Sequence, residues 1–267
     1  MLTRTITGIL FVASIIAGVY FSSIIALCLF TLIVLLGTDE FYGLVKKSKE
    51  IKPIRFWGTI SSVVLMITLG LVIQGKLRTS YVVIPVMMLF FTFFIELYRK
   101  KDNPFTNIGY TILGNIYVVL PFAMLFYLGH YNGDYNYEII LGFFILLWTS
   151  DTGAYLSGKF LGKHKLFERI SPKKTWEGSI GALLLSIGVG YVLSIYFTDL
   201  TLINWIIIAC IIVIFGGLGD LVESMLKRSL KIKDSGNILP GHGGILDRFD
   251  GLLLSAPFVY SYLILVR

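Results

Sequence analysis

Four aspartates, one histidine and a set of lysines and arginines stand out in the C-terminal half of a chain that is otherwise apolar. The densest stretch is 224–250. Its 27 residues hold Lys227, Arg228, Lys231, Lys233, Arg248, three aspartates and His242, one of only three histidines in the chain. Charge beside a bilayer is costly and is retained where it meets an ion, a proton path or a substrate. Asp220 closes the apolar run before this stretch. On a continued helix Asp220, Glu223, Ser224 and Lys227 recur three and four residues apart and share a face. That face reads either as a polar stripe held by a Glu223–Lys227 pair or as a carboxylate, Asp220, aimed at a cation. Asp247 and Asp250 lie three apart where the final apolar run begins. They read either as the cap and dipole partners of a helix N-terminus or, with Asp220, as oxygen ligands for a hard divalent cation such as Mg²⁺. Arg248, between them, balances that charge or touches phosphate.

Pro240-Gly241-His242-Gly243-Gly244 reads as a turn. Its glycines permit positive φ and let main-chain N–H groups approach an anion. His242 fits three roles: general acid/base, phosphate donor, or a residue that fixes the loop. Asp151 lies inside an apolar helical run and is a functional candidate on that ground, against the alternative of a satisfied contact between helices. Lys173 and Lys174 precede a helix start at Thr175 or Trp176, which is unfavourable for the helix dipole unless an anion binds there. The alternative is that they only mark the inner side of a membrane. Gly158-Lys159 and Gly162-Lys163 imitate a phosphate loop, but the glycine spacing is wrong and no Ser or Thr follows the lysine.

The elements that must hold these residues are membrane helices. Apolar residues make up 56% of the 267 and charged residues 15%, against about 25% charged in a soluble domain; the mean hydropathy is +0.81. The fold class expected is all-α: a polytopic integral membrane protein with about nine transmembrane helices, near 5–20, 22–45, 57–74, 80–98, 108–129, 137–158, 177–197, 202–229 and 249–266. The first two form a tight hairpin or one broken helix. With the N-terminus cytoplasmic, 20 of the 23 Lys and Arg fall on the inner side. The net charge of +7 therefore belongs to topology, and nucleic acid is not expected as a partner. Loops 159–176 and 230–248 then share the cytoplasmic face. Residues 1–130 read as supporting helices that serve lipid access and oligomer contacts, and 131–267 as the catalytic region.

Other polar residues have plainer readings. Glu96 is spaced to pair with Arg99 or Lys100. Asp39 and Glu40 lie at a span end, and 46–55 reads as a patch for anionic lipid. Asn115 joins helices or binds lipid. Cys28 and Cys210 lie in separate apolar runs and read as packing residues.

The stretch 224–250 resembles the motif of the phosphatidate cytidylyltransferase (CDP-diacylglycerol synthase) family. Ser-x-x-Lys-Arg, Lys-Asp-x-Gly, Pro-Gly-His-Gly-Gly and Asp-Arg-Phe-Asp occur in that family's order and spacing. Ser-Asp-Thr-Gly-Ala-Tyr at 150–155 and Ser-Pro-Lys-Lys-Thr-Trp-Glu-Gly at 171–178 are similar to further family segments. The resemblance implies the reaction CTP + phosphatidate → CDP-diacylglycerol + pyrophosphate at a bacterial-type inner or plasma membrane, with Mg²⁺ and room for a second cation. It implies a homodimer as well. The site residues expected are Asp220, Asp247 and Asp250 as metal ligands. Lys227, Arg228 and His242 join them in catalysis, and Asp151, Lys173, Lys174, Lys233, Gly243, Gly244 and Arg248 contact substrate. Two other functions use the same residues: a CTP-dependent lipid or polyprenol kinase, and an ion-coupled transporter. The transporter would more often place its groups near the bilayer midplane on broken helices.

Overall fold

The computed structural model describes residues 2–48, 50–230 and 243–267. The expected all-α membrane architecture is present. Among the described residues, seven helical rods are long and apolar enough to cross a bilayer. Helix α1 (Leu2–Tyr20) is followed by α2 (Ser23–Val45), α3 (Arg55–Ile73) and α4 (Val83–Arg99), the last entered through a 3₁₀ turn at Thr79–Val82. Helices α5 (Pro104–Gly114) and α6 (Leu120–Leu128) are joined through a π turn into one rod, Pro104–Leu128. Then come α7 (Glu138–Leu161), α8 (Trp176–Tyr196), and the rod Leu202–Ser229, built from α9 (Leu202–Ile211), a second π turn and α10 (Gly217–Ser229). Helix α11 (Leu246–Leu265) ends the architecture. Helix α1 contributes a shorter apolar segment, Ile6–Tyr20.

Of the two arrangements open for the first two runs, the hairpin forms. Phe21-Ser22 breaks the helix, the Ser22 hydroxyl accepts the Ile25 N–H at 3.2 Å, and α1 packs back along α2. The core lies where α2, α6, α7 and α11 meet. Phe249 of α11 sits between Phe11 and Phe122, with ring centres 5.5 and 5.2 Å away. Asn115 joins helices: its side chain donates to Tyr42 Oη at 3.2 Å and accepts from Ser61 and Ser62 of α3 at 3.1 and 3.2 Å. The Glu96–Arg99 pair forms at 2.6 Å. Cys28 departs from expectation, being exposed on α2 rather than packed, while Cys210 is half-buried.

The loop 159–176 carries structure that the all-α expectation did not contain. Strands β1 (Lys165–Phe167) and β2 (Ser171–Thr175) pair antiparallel into a small hairpin. Glu177 holds its base by accepting the backbone N–H groups of Lys163 and His164 and the His164 ring nitrogen at 2.5 Å. Thr175 caps α8, its hydroxyl accepting the Gly178 N–H.

Candidate active site

Three close helix contacts build the site. Helices α7 and α8 approach so tightly that a Cβ on Gly153 would lie 2.9 Å from the Ala182 Cα. This brings Asp151 alongside the hairpin. Helices α10 and α11 touch at Gly219, where a Cβ would stand 2.3 Å from the Asp250 carbonyl oxygen. Only glycine permits that approach, and it sets Asp220 beside Asp250. The third contact comes from α2. Glu40, buried, accepts the backbone N–H of Ile245 at 2.7 Å and of Leu246 at 3.2 Å. Helix α11 has no side-chain cap of its own at Ile245, so a carboxylate 205 residues earlier in the chain supplies it.

Asp247 is therefore not the cap of α11. It stands in the first turn and reaches back, its Oδ2 accepting the Gly244 N–H at 2.9 Å. Gly243 has φ +84°, and a Cβ there would meet the same oxygen at 2.6 Å. The glycine turn shapes the seat of Asp247.

These contacts open a cavity of about 510 Å³ walled by α7, the hairpin, α8, α10 and α11. It gathers Asp151, Lys173, Lys174, Asp220, Lys227, Asp247 and Asp250. Within it the charges form two groups. Lys174 Nζ pairs with Asp220 Oδ2 at 2.8 Å and donates to the Gly217 carbonyl at 2.6 Å. Asp250 lies within electrostatic range of Asp220, Asp151 and this lysine, and accepts the Gly251 N–H at 2.7 Å. The second group is Lys227, which bridges Glu223 and Asp247, the latter at 2.7 Å. Lys173 is exposed and has no acidic partner among the described residues.

Asp151, Asp247 and Asp250 also line a second cavity of about 200 Å³, on the side of α1. Thr7, Gly8, Phe11 and Val12 face them there, with Trp148 and Arg248. Arg248 thus serves the α1 side rather than the larger cavity. Arg228 is exposed at the end of α10 and lines neither cavity, and Gly243 and Gly244 act through Asp247. Lys233 and His242 lie outside the described residues.

Two residues of the site, Tyr117 and Glu40, had no site role from sequence, and Glu223 was read only as the partner of Lys227. Glu223 is buried and paired to Lys227 as the spacing allowed, and its Oε1 has no hydrogen-bond partner among the described residues. The Tyr117 hydroxyl is buried with no hydrogen-bond partner among the described residues, within electrostatic range of Glu223 and Asp250; a tyrosine in an apolar run gives no signal. Glu40 had one. It is a glutamate in an apolar run with no basic residue three or four positions away.

Carboxylate oxygens are the kind of donor a hard divalent cation takes. Among the described residues, no three His, Cys, Asp or Glu side chains converge on one point. Mg²⁺ takes one or two carboxylates and completes its shell with water and substrate phosphate. Asp220 and Asp250, close neighbours sharing a single lysine, offer such a pair.

A profile of the cytidylyltransferase family matches residues 2–266. The chain belongs to that family. Among its relatives, the phosphatidate cytidylyltransferase of Staphylococcus aureus is 42% identical over 181 residues, covering 67% of this chain and 68% of the relative. That of Staphylococcus epidermidis is 40% identical over 194 residues, 72% and 69% of the two chains. That of Staphylococcus haemolyticus is 44% identical over 167 residues, 62% of each. The matched range includes α2, which carries Glu40, as well as the residues of the cavity.

Proposed function

We infer that the protein transfers the cytidylyl group of CTP to phosphatidate, giving CDP-diacylglycerol and pyrophosphate. The observation that carries this is the convergence of Asp151, Asp220, Asp250, Lys173 and Lys174 on one cavity in a membrane chain of the cytidylyltransferase family. A phosphate oxygen of phosphatidate attacks the α-phosphorus of CTP. The bond from that phosphorus to the oxygen bridging to the β-phosphorus breaks, and pyrophosphate leaves. The attacking oxygen is ionised at neutral pH, so the step needs neither a protein nucleophile nor an obligatory base, and His242 is not required as one.

The work left to the chain is positioning and charge. Lys173, without an acidic partner, meets the triphosphate. Lys174 has two of its three N–H groups fixed on Asp220 and Gly217, which leaves one for a phosphate oxygen. Lys227 holds Asp247 in place. Asp220 and Asp250, with Asp247 adjacent, would hold Mg²⁺, which when bound supplies neutralisation of the phosphate oxygens as the cytidylyl group moves. The unpartnered Glu223 oxygen leaves a place for a second cation. The smaller cavity beside α1, with Arg248 in its wall, supports approach of the lipid phosphate from the bilayer while the acyl chains stay there.

The proposal includes nine crossings, a cytoplasmic N-terminus, a site open to the cytoplasm, and a homodimer, the last on the family resemblance alone. The charge bias of the loops supports the orientation. Ser235→Cys, in a background with Cys28 and Cys210 replaced by alanine, is expected to react with an impermeant thiol reagent only after the cytoplasmic face is opened. Labelling of intact cells would reverse the topology.

The activity is tested with purified protein, phosphatidate, Mg²⁺ and CTP labelled in the cytidine. Label is expected to enter the lipid phase. Transfer of only the γ-phosphate to a lipid alcohol would instead make the protein a CTP-dependent lipid kinase. A total absence of lipid label would defeat both readings.

A further inference from the structure

A cavity of about 860 Å³ lies apart from the one that holds the aspartates. It shares no lining residue with that site. It lies where α2 ends, α3 begins and α4 ends, and its walls include Lys46, Lys52, Arg55, Arg99 and Lys101 against a single acid, Asp39. Three of these cations are paired, Lys52 with Asp102 at 3.3 Å. Arg55 forms a two-point pair with Asp39, both contacts at 2.6 Å. Arg99 pairs with Glu96 at 2.6 Å and donates to the Lys52 carbonyl at 3.0 Å. Lys46 and Lys101 have no acidic partner among the described residues and leave the cavity with excess positive charge.

A separate feature points the same way. Helix α3 begins in this cavity and has no side-chain cap at Ile54. The backbone N–H groups of Phe56 and Trp57, in its first turn, have no acceptor among the described residues. Preorganised arginines, unpaired lysines and an open helix N-terminus around one recess are together suited to a phosphate group. Its level in the bilayer selects the kind of phosphate. Three span ends meet at the cavity, and its floor is Pro53, Ile54 and Phe56. Phe56 is 79% exposed, and Leu97, Tyr98 and Phe105 on the adjoining helix ends are 71%, 81% and 78% exposed. Aromatic and aliphatic side chains of this kind lie against lipid at the headgroup boundary, where lipid phosphates are found.

We propose that this recess is a second lipid site, separate from the cytidylyl-transfer cavity, which seats the phosphate of an anionic glycerophospholipid. Its chemistry would accept free phosphate too, and the test separates the two sources. The site does not depend on the activity proposed above, because lipid retention rather than turnover is measured.

Purified protein is exchanged into phosphatidylglycerol or phosphatidylcholine, and the retained lipids are counted by native mass spectrometry. One phosphatidylglycerol is expected to remain bound, with phosphatidylcholine lost. Lys46→Gln/Lys101→Gln is expected to weaken retention roughly 25-fold, at about fivefold per interfacial lysine. Lys163→Gln/Lys165→Gln removes the same charge from the exposed hairpin loop and is expected to leave retention unchanged. Equal loss in this control would mean diffuse surface attraction and overturn the site, as would equal retention of phosphatidylcholine. Displacement of the lipid by millimolar inorganic phosphate would make it a soluble-anion site and overturn the lipid assignment. A photoreactive residue in place of Phe56 gives an arm that leaves the lysines intact. It is expected to cross-link phosphatidylglycerol, and failure to do so in the folded protein overturns the proposal.

Discussion

Lys174 and Asp220 hold each other at 2.8 Å across the seam between the hairpin and α10. The pair fastens a loop lysine to the helix that carries the carboxylates, and it supplies a positive charge close to Asp220, Asp250 and Asp151, the last of which also feels Arg248. Lys174→Met keeps the length of the side chain and removes the charge. Steady-state kinetics are expected to show a loss in kcat/KM for CTP of about 10²-fold. Lys174→Met/Asp220→Asn is expected to regain thermal stability without regaining activity. Wild-type kcat/KM in the single variant would reduce Lys174 to a fastener of the hairpin.

Asp247→Asn retains an oxygen for the Gly244 N–H and loses the charge opposite Lys227. The variant is expected to stay in the membrane, with kcat reduced by about 10²-fold or more, the scale of metal and electrostatic contributions to phosphoryl transfer. Near-normal turnover at saturating Mg²⁺ would remove Asp247 from the metal-holding group.

Gly219→Ala places a methyl group 2.3 Å from the Asp250 carbonyl. The neighbouring atom is backbone, so α10 and α11 have to separate, at a cost of about 1–3 kcal/mol. Thermal unfolding in detergent is expected to report the loss, and activity to fall with it. Gly217→Ala, whose Cβ would meet nothing within 4 Å, is the matched control and is expected to be neutral on both measures.

Glu40→Ala strips two backbone N–H groups of the one cap they have among the described residues. Leaving two buried donors unpaired costs about 2–6 kcal/mol, so the melting temperature is expected to drop and activity to fall through displacement of Asp247 and Asp250. Glu40→Gln, which keeps one carbonyl oxygen, is expected to recover part of both. An alanine variant as stable and active as the parent would show that α11 finds its place without α2.

His130, between α6 and α7 and outside the spanning rods, gives a pH prediction. Its Nδ1 lies 3.2 Å from the Phe126 carbonyl and its Nε2 2.9 Å from Ser23 Oγ, which also accepts from Gln74 at 2.8 Å. These partners suit the neutral ring with its proton on Nδ1. Burial holds the pKa below the usual histidine value, with Lys76 adding to the effect. Because the folded value lies below the unfolded one, near 6.5, the neutral ring contributes stability that is complete above about pH 6.5. That contribution declines as pH falls and is gone once the folded value is passed. The melting temperature is expected to fall more between pH 8 and pH 5 in the parent than in His130→Gln. Equal falls would rule out the histidine as the source.

The sequence made some of this legible. Apolar runs located the rods to within a few residues, and carboxylates inside them pointed to Asp151, Asp220, Asp247 and Asp250. Helical spacing was enough for Glu96–Arg99 and Glu223–Lys227, because those partners sit on one helix. It failed where partners come from different elements. One of the two readings of Asp247 made it the cap of α11, and the cap is Glu40. The hairpin at Lys165–Thr175 has too few apolar alternations to announce strands, and what fixes it is Glu177 gripping its base. The rod Pro104–Leu128 starts four residues before the apolar run because Asn107, polar and buried, is satisfied by Glu96 at 2.7 Å and the Asp102 carbonyl at 2.9 Å.

The reach of Glu40 to Ile245 also sets an order of assembly. A chain threaded into the bilayer from its N-terminus installs this glutamate in α2 long before its partners in α11 have been synthesised. In the interval the carboxylate has to keep water as its partner, since an unpaired buried charge is too costly to keep. Arrival of α11 relieves it, and the same docking brings Asp247 and Asp250 to the cavity. The nascent protein therefore acquires its reaction centre in one late event, and no partly inserted form carries a working one.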